Sequence, residues 1–332
     1  MRAMVVEQQA PIEQSPLRLR DLPDPEPGPG ELLIRVRACA VCHTDLHVVE
    51  GDLAPHKLPV IPGHQVVGAV QRLGESVEGF AVGDAVCVPW LYSTCGECRF
   101  CRRGQENLCE GARFTGWDVD GGFATAMVTK ADFTYHIGAD MDPLKAAPLL
   151  CAGVIGLRAL RIAGAERAER LGLYGFGASA HIAIQIARHW GCEVSAFTRS
   201  EGHRRLALEL GAKWAGDAGD EPPDRLDAAV IFAPAGGLVP VALRALDRGG
   251  TVACAGIHMS DIPQMPYESL YYERVLRSVA NSTRQDVRDL LELAQKTLIK
   301  TQVTAFPLAE ANEALRAVKE SRIDGAAVLV ME

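Results

Sequence analysis

Four cysteines lie close together in the first half of the chain. They follow the spacing Cys-x2-Cys-x2-Cys-x7-Cys and are Cys95, Cys98, Cys101 and Cys109. Short turns between the first three sulfurs let four thiolates converge on one ion, and a closed shell of four cysteines is typical of structural zinc. Iron–sulfur clusters also use four thiolates, but the bacterial ferredoxin pattern has three residues before its fourth cysteine and a proline after it. Here Glu110 follows Cys109, so the pattern predicts a structural zinc site.

A second set of metal-binding side chains is spread along the sequence. Cys42 opens the run Cys-His-Thr-Asp-Leu-His, His64 lies in Gly-His-Gln-Val-Val-Gly, and Cys151 follows an apolar run much later. Each residue alone is compatible with an ordinary buried thiol or a structural histidine. Together, two thiolates and one imidazole leave one position of a tetrahedral zinc open, which is typical of a catalytic zinc.

A glycine-rich turn lies between an apolar run and a helical pattern. Residues Gly175-Phe-Gly-Ala-Ser-Ala180 have the form Gly-x-Gly-x-x-Ala, a variant of the dinucleotide-binding fingerprint. The first glycine permits the tight turn, Gly177 lets a pyrophosphate approach the backbone, and the small Ala180 lets the helix pack on the strand. We therefore expect Gly175, Gly177, Ala178 and Ala180 to bind a dinucleotide whose phosphates lie at the helix N-terminus.

The end of the next strand discriminates between NAD(H) and NADP(H). An NAD site usually carries Asp or Glu about 20 residues after the glycines, where it holds the ribose hydroxyls. Here the strand pattern at 194–197 runs into Thr198, Arg199 and Ser200, with no acid among them. A guanidinium and two hydroxyls can receive a 2′-phosphate. The sequence favours NADP(H), while a solvated Arg199 and the use of NAD(H) stay open.

The elements around these motifs change character near residue 150. The first 130 residues read as short strands, such as 32–37 and 66–70, separated by turns rich in proline and glycine. Farther on, strands alternate with helices, which favours a parallel doubly wound sheet. The last fifty residues contain a helix pattern at 308–318 and a final strand at 326–331.

The composition is that of an ordinary globular protein. The 332 residues are 48% hydrophobic and 23% charged, with a net charge of −8, and they suffice for two domains with cores. The negative charge disfavours a nucleic-acid partner. No run of 18 apolar residues occurs, so no membrane span is predicted. Cysteines spaced for metals in a chain without a secretory signal predict a cytoplasmic location.

With these motifs in place, the chain resembles the zinc-containing medium-chain alcohol dehydrogenases over nearly its whole length. The stretches 255–263 and 277–284 are most similar to the bacterial cinnamyl-alcohol-dehydrogenase-like, propanol-preferring branch. The resemblance implies an α/β fold, in which a GroES-like, β-rich catalytic domain carries an inserted Rossmann domain with a doubly wound parallel sheet. The implied boundaries are 1–152 for the catalytic domain, with a structural-zinc lobe at about 90–112, 153–282 for the Rossmann domain, and 283–332 for the return to the catalytic domain.

The resemblance also implies an activity. It predicts reversible hydride transfer between a primary alcohol, aliphatic or aromatic, and NAD(P), with two zinc ions per chain and a homo-oligomer, either a dimer or a tetramer. Zinc would act on the alcohol or aldehyde oxygen as a Lewis acid. One alternative is an aldehyde reductase that works mainly in the reductive direction, and another is a non-enzymatic protein on the same fold. A zinc-independent reductase of the superfamily would lack both cysteine sets.

By the same resemblance, individual residues acquire roles. Cys42, His64 and Cys151 would hold the catalytic zinc, and Asp45 would orient His64. Thr44 would hydrogen-bond the substrate oxygen, and His47 would pass the proton towards solvent. The substrate pocket would be lined by Leu53, Trp90 and Trp117. The remaining cofactor contacts would be His43, near the pyrophosphate, and Gly256 and Ile257, after the strand that borders the nicotinamide.

One residue departs from the family pattern. The family has Glu directly after the ligand histidine, and this chain has Gln65. The neutral amide leaves the site with one less negative charge. Both a more Lewis-acidic metal and slower ligand exchange are consistent with that change.

Overall fold

A computed structural model describes residues 1–297 and 299–331. Its strands, in chain order, are β1 (Arg2–Val6), β2 (Leu17–Asp21), β3 (Glu31–Val41), β4 (Val66–Leu73), β5 (Ala85–Val88), β6 (Leu91–Ser93), β7 (Arg113–Phe114), β8 (Ala126–Lys130), β9 (Tyr135–His136), β10 (Arg170–Tyr174), β11 (Glu193–Phe197), β12 (Trp214–Gly216), β13 (Leu226–Ile231), β14 (Leu246–Cys254), β15 (Val275–Ser278), β16 (Val303–Pro307) and β17 (Ala326–Val330). Its α-helices are α1 (His43–Glu50), α2 (Pro143–Ala146), α3 (Ala152–Ala163), α4 (Ala178–His189), α5 (Glu201–Glu209), α6 (Leu238–Ala245), α7 (Arg284–Thr297) and α8 (Ala311–Lys319).

The chain divides into two units. The first comprises Met1–Cys151, Asn281–Leu291 and the residues from Thr301 onward, and the second comprises Ala152–Ala280 with Glu292–Lys300. Of the return segment at 283–332 that the family resemblance implied, Glu292–Lys300 clusters with the second unit. The amide of Gln185 accounts for this placement, because it donates to the carbonyl of Lys300 at 2.8 Å and accepts from the Lys300 N–H at 2.9 Å.

The first unit is organised around the long strand β3. Its seven-stranded sheet has the order β16-β17-β3-β4-β5-β9, and β8 also pairs with β3. Most of β3 is apolar and buried, and only the side chains of Arg35 and Arg37 are exposed. Strand β17 pairs antiparallel with the end of β3, with Val328 opposite Ala40. Because β3 ends at Val41, the core of this unit fixes the position of the next residue, Cys42.

The second unit is a parallel sheet with alternating helices. All six strands run parallel in the order β12-β11-β10-β13-β14-β15, which is the doubly wound Rossmann order. The order reverses between β10 and β13. Gly175 follows β10 there with φ of +86°, and a Cβ at this position would lie 2.9 Å from the backbone nitrogen of Ala233. Only glycine therefore fits the turn at the point where such sheets bind dinucleotides.

No single helix in the described part of the chain is long and apolar enough to cross a membrane, although the short helices at 143–150 and 152–163 would suffice as a bent pair by length and composition alone.

Candidate metal and cofactor sites

Three metal-binding side chains meet in the first unit. The donor atoms of Cys42, His64 and Cys151 all lie within 4.8 Å of one another, and Cys42 Sγ is 3.5 Å from His64 Nε2. Cys42 follows β3, His64 precedes β4, and Cys151 follows a short 3-10 helix at Ala147–Leu150. Gly63 has a φ of +100°, and a Cβ there would lie 2.4 Å from the ring of Phe123. This glycine therefore lets the chain turn His64 towards the two sulfurs.

Asp45 connects two of these ligands. Its Oδ1 accepts hydrogen bonds from His64 Nδ1 at 2.9 Å and from the Gly63 N–H at 3.2 Å. Its Oδ2 accepts from the Cys42 N–H at 3.0 Å, which completes a capping box at the start of α1. The same carboxylate thus begins a helix and fixes the His64 ring with Nε2 facing Cys42, as metal-bound histidines commonly require.

The electrostatics of the three ligands favour a cation. The pKa of Cys42 lies well below its ordinary value because Cys151 donates to its sulfur, an effect that burial opposes and His64 reinforces. The pKa of Cys151 lies well above its ordinary value, because its proton is held by Cys42 and because it is buried. Burial alone would lower the pKa of His64, yet the charges of Asp45 and Cys42 raise it to about 10.

The pKa values of the three side chains indicate whether these residues can bind a metal ion. The lowered pKa of Cys42 favours one thiolate, and the raised pKa of Cys151 favours a protonated second sulfur. Two half-buried sulfurs and one buried imidazole match the donors that zinc prefers. Gln65, next to His64, is also buried, and its amide nitrogen has no hydrogen-bond partner among residues 1–297 and 299–331. The donor set and this amide both fit a site completed by a bound ion and its ligands.

Aromatic side chains surround one side of His64. The ring of Trp90 meets His64 edge-on at 4.8 Å between centroids, and it stacks with Phe114 at 5.0 Å and with Trp117 at 6.0 Å. His56 stacks on Trp117 at 3.9 Å. Trp90 and Trp117, both predicted from sequence to line a pocket, thus lie together in one apolar wall. Leu53 is half-buried and packs against the core of the same unit.

The helix after Cys42 carries the other polar residues predicted for the site. Thr44 is buried, and its N–H donates to Cys42 Sγ at 3.4 Å. His43 is exposed on the first turn of α1. His47 Nδ1 lies 2.7 Å from a carboxylate oxygen of Asp52, a partner that no sequence motif indicated. With a carboxylate on Nδ1, the neutral ring carries its proton there and presents Nε2 as an acceptor.

The four clustered cysteines form a separate site in the same unit. Their sulfurs lie within 4.8 Å of one another, with Cys98 Sγ 3.6 Å from Cys101 Sγ and Cys109 Sγ 3.5 Å from Cys95 Sγ. Backbone N–H groups of Cys98 and Glu97 lower the pKa of Cys95 to about 7. Four converging sulfurs, one of them already disposed to ionise, fit a tetrahedral thiolate-bound metal.

The glycine turn and its neighbours lie in the second unit. Gly177 is the N-cap of α4, so the N–H groups of Ala178 and Ala180 belong to the first turn of that helix. Thr198, Arg199 and Ser200 follow β11. Thr198 is buried, Arg199 is exposed, and the Ser200 hydroxyl caps α5 by accepting from the His203 N–H at 3.3 Å. Arg204, which no sequence motif singled out, donates to the Thr198 carbonyl at 2.8 Å.

Two further predicted cofactor contacts, Gly256 and Ile257, follow β14 in the second unit. Ile257 is about half exposed. A Cβ at Gly256 would lie 2.7 Å from the side chain of Met259. Both residues are therefore at the carboxyl end of a central parallel strand, where ligands of such sheets bind.

Known proteins resemble this chain along most of its length. The family model for the alcohol dehydrogenase GroES-like domain matches residues 28–139, and the model for zinc-binding dehydrogenases matches residues 180–296. A probable alcohol dehydrogenase, AdhA, of Mycobacterium tuberculosis is 48% identical over 337 residues, covering 100% of this chain and 97% of the relative. An alcohol dehydrogenase of Geobacillus stearothermophilus is 35% identical and covers 95% of this chain and 96% of its own. The cobalt- and zinc-bound structure of a thermostable alcohol dehydrogenase from Pyrobaculum aerophilum has a TM-score of 0.91 at 26% identity, covering 99% of both chains.

The chain therefore belongs to the zinc-containing alcohol dehydrogenase family of the medium-chain dehydrogenases. This confirms the family and the GroES-like plus Rossmann fold class predicted from sequence. The protein is a zinc alcohol dehydrogenase, an oxidoreductase that acts on alcohols or aldehydes with zinc and a nicotinamide cofactor.

Proposed function

We propose that the protein reversibly converts primary alcohols, aliphatic or aromatic, to aldehydes, with Cys42, His64 and Cys151 as the catalytic zinc ligands. The convergence of the buried His64 with the half-buried Cys42 and Cys151, held by Asp45, is the observation that carries the proposal. When bound there, zinc supplies Lewis-acid polarisation of the substrate oxygen. The wall formed by Trp90, Phe114 and Trp117 suits the apolar body of such a substrate.

The chain's own residues then orient the substrate and move its proton. The buried Thr44 hydroxyl hydrogen-bonds the alcohol oxygen and relays its proton towards His47. Asp52, 2.7 Å from His47 Nδ1, orients the imidazole so that Nε2 is the atom that receives that proton. Asp45 keeps the His64 ring in one tautomer throughout. The aromatic wall, in which Trp90 is buried and Phe114 and Trp117 are half-buried, shields the reacting carbon from water.

We propose two zinc ions per chain, the second held by Cys95, Cys98, Cys101 and Cys109. Closed four-thiolate sites contribute folding free energy and keep no position open for substrate. The short sulfur–sulfur distances support this assignment. This second ion stabilises the lobe that contains it and takes no part in the reaction.

We propose that the cofactor is NADP(H), bound at Gly175, Gly177, Ala178 and Ala180. The absence of a carboxylate among Thr198, Arg199 and Ser200 supports this preference, and so does the exposed guanidinium of Arg199. Thr198 is buried, and the Ser200 hydroxyl caps a helix. Of the three side chains, the charged group of Arg199 is therefore the one that a 2′-phosphate can reach most easily. His43, Gly256 and Ile257 complete the proposed cofactor contacts.

The protein is proposed to act as a homo-oligomer in the cytoplasm. Strand β15 lies at an edge of the parallel sheet, and its Val275 is 41% exposed. An edge strand presents unpaired N–H and C=O groups that can pair with another chain, and a second copy of β15 is the partner that we propose. The ten cysteines are all free thiols, which suits a reducing compartment. Size-exclusion chromatography with light scattering tests the oligomer, and a monomer at micromolar concentration would contradict it.

Metal analysis combined with an activity panel tests the catalytic assignment. Wild-type protein should contain close to two zinc ions per chain and oxidise primary alcohols. Cys42→Ser should lower the metal content to about one and abolish turnover. Cys39→Ala is the matched control, because Cys39 is a buried thiol of the strand that leads to Cys42 and lies outside both cysteine sets. It should keep both metals. A Cys42→Ser protein that retains two metals would contradict the assignment, and a wild type that binds metal but turns over nothing would favour a non-enzymatic role.

A further inference from the structure

An asparagine far away in the sequence holds one wall of the aromatic site. The indole Nε1 of Trp90 donates to Oδ1 of Asn281 at 3.1 Å, across 191 positions of sequence. Trp90 is 8% exposed. Its ring stacks on neighbours and meets His64 edge-on, but stacking leaves the ring torsion of an aromatic side chain broad. The hydrogen bond to Asn281 therefore selects which way the indole faces.

Asn281 itself has a restrained backbone. Its φ is +51°, a left-handed conformation that asparagine and glycine adopt more readily than other residues. The following residues form the start of α7, where the Thr283 N–H and hydroxyl each donate to Asp286 Oδ2 at 2.8 Å. The Asp286 N–H donates back to the Thr283 hydroxyl at 3.2 Å. Asn281 thus precedes a firmly capped helix.

The four-cysteine lobe anchors the same segment. Glu106 lies between Cys101 and Cys109 in sequence and is 8% exposed. Its carboxylate accepts from the Arg284 N–H at 2.7 Å, and it accepts from the Arg284 guanidinium at 3.0 Å and 2.9 Å. The guanidinium also lies 4.7 Å from the ring centroid of Phe133. A partly buried, multiply bonded pair of this kind fixes geometry much better than an exposed ion pair.

From these contacts we propose that Asn281 is a positioning residue that sets the orientation of Trp90 and thereby the size selectivity of the alcohol pocket. The Glu106–Arg284 pair fixes Asn281 relative to the four-cysteine lobe, so that the lobe supports the substrate wall through this pair. The inference rests on the proposed function, in which Trp90 lines the pocket. Released from Asn281, the indole samples other orientations, and the pocket discriminates less between small and bulky alcohols.

Three substitutions isolate the hydrogen bond. Asn281→Gly removes the acceptor and tolerates the left-handed backbone, Asn281→Asp restores an acceptor oxygen, and Trp90→Phe keeps an aromatic ring without the donor. Asn281→Gly should change the ratio of kcat/KM for benzyl alcohol to that for ethanol on the order of tenfold. Asn281→Asp should recover most of that ratio. In a protein that already carries Trp90→Phe, Asn281→Gly should change this ratio almost no further, because the two residues act through one contact.

A spectroscopic measurement tests the contact without turnover. In protein labelled with 15N-tryptophan, the Trp90 indole N–H signal is the one missing from Trp90→Phe. It should move on Asn281→Gly and return towards its wild-type position on Asn281→Asp. Glu106→Gln should move it as well, whereas Glu193→Gln, which breaks the exposed pair of Glu193 and Lys213 in the other unit, should leave it in place.

The outcomes separate two failures. An unchanged indole signal in Asn281→Gly, or additive effects of Asn281→Gly and Trp90→Phe on selectivity, overturns the inference while the alcohol dehydrogenase stays active. A wild type without turnover of any alcohol or aldehyde overturns the proposed function and the inference with it. An indole signal that moves as expected, together with a loss of selectivity shared by both single variants, supports the inference.

Discussion

Replacing Asp45 by asparagine tests whether one carboxylate serves both a helix and a metal site. Asp45 is 1% exposed and accepts three hydrogen bonds, from His64 Nδ1, the Gly63 N–H and the Cys42 N–H. An asparagine has one acceptor oxygen and one amide group, so it keeps either the pair of bonds at Oδ1 or the single bond at Oδ2. The orientation that costs less free energy keeps the hydrogen bonds from His64 and Gly63 and turns the amide group towards the Cys42 N–H.

The magnitude follows from this count. A buried N–H left without a partner costs about 1–3 kcal/mol. The two surviving bonds lose the charge on their acceptor, which costs roughly 1 kcal/mol more because charge-assisted bonds are about twice as strong as neutral ones. The total loss is about 2–4 kcal/mol. The loss of the carboxylate that orients His64 should also weaken metal binding about 10–100-fold.

Two measurements separate the consequences. Zinc affinity is measured by competition with a chromophoric chelator, and stability is measured by thermal unfolding of the metal-loaded protein. Asp52→Asn is the control, because Asp52 is an exposed carboxylate that also contacts a histidine of α1. It should leave the zinc affinity within about twofold of wild type, since it contacts no ligand. An Asp45→Asn protein that unfolds earlier but binds zinc as tightly as wild type would refute the reasoning and reduce Asp45 to a helix cap.

Three further predictions concern other parts of the chain. Burial lowers the pKa of His181 to about 4 from 6.5, so the unfolded chain binds this proton first, and about 3 kcal/mol of stability is lost as the pH falls from 6.5 to 4; His181→Gln should flatten this part of the stability–pH curve relative to wild type, and an unchanged curve would contradict it. Cys98→Ala should lower the zinc content by about one ion and promote unfolding or aggregation on heating, because structural sites contribute folding free energy, and full stability with one zinc would count against a structural role. Arg199→Ala should lower kcat/KM for NADP(H) about 10–150-fold and leave that for NAD(H) nearly unchanged, whereas a wild type that prefers NAD(H) would refute the cofactor preference.

The two clusters of possible metal ligands could be predicted from sequence because their chemistry is carried by residue type. Thiols at short, regular spacing in a polar segment rarely do anything but bind a metal, so the four-cysteine set stands out directly. Cys42, His64 and Cys151 are far apart in the chain, so no spacing connects them, and they were grouped by donor type, as two thiols and one imidazole, with roles that the family resemblance then implied. The strand patterns at 194–197 and 326–331 and the helix pattern at 308–318 were confirmed within a few residues as β11, β17 and α8, because apolar periodicity directly reports buried faces.

The contacts that hold these side chains in place could not be predicted from the sequence. Asp52 meets His47 only because α1 ends at Gly51, whose φ of +95° turns the next residue back towards the helix. Asn281 meets Trp90, and Arg284 meets Glu106, across more than 170 positions. Such pairs depend on the paths of loops and on how segments distant in sequence pack, and no local pattern encodes them. Charged and amide side chains in loops look alike in a sequence whether they are solvated or bonded.

The first unit is built from segments that are far apart in the chain, so it cannot be completed until the end of the chain has been synthesised. Residues 31–35 of β3 pair with β8, but the stretch of β3 that leads to Cys42 pairs on that side with β17, which begins at residue 326. Domains usually fold in the order of synthesis, and the second unit, most of which is contiguous, can do so while translation continues. Part of β3, beside Cys42, therefore has an unpaired edge until β17 leaves the ribosome. A nascent or C-terminally truncated chain would therefore carry an assembled cofactor unit and an unfinished metal site, and such chains are the ones that chaperones and proteases should recognise first.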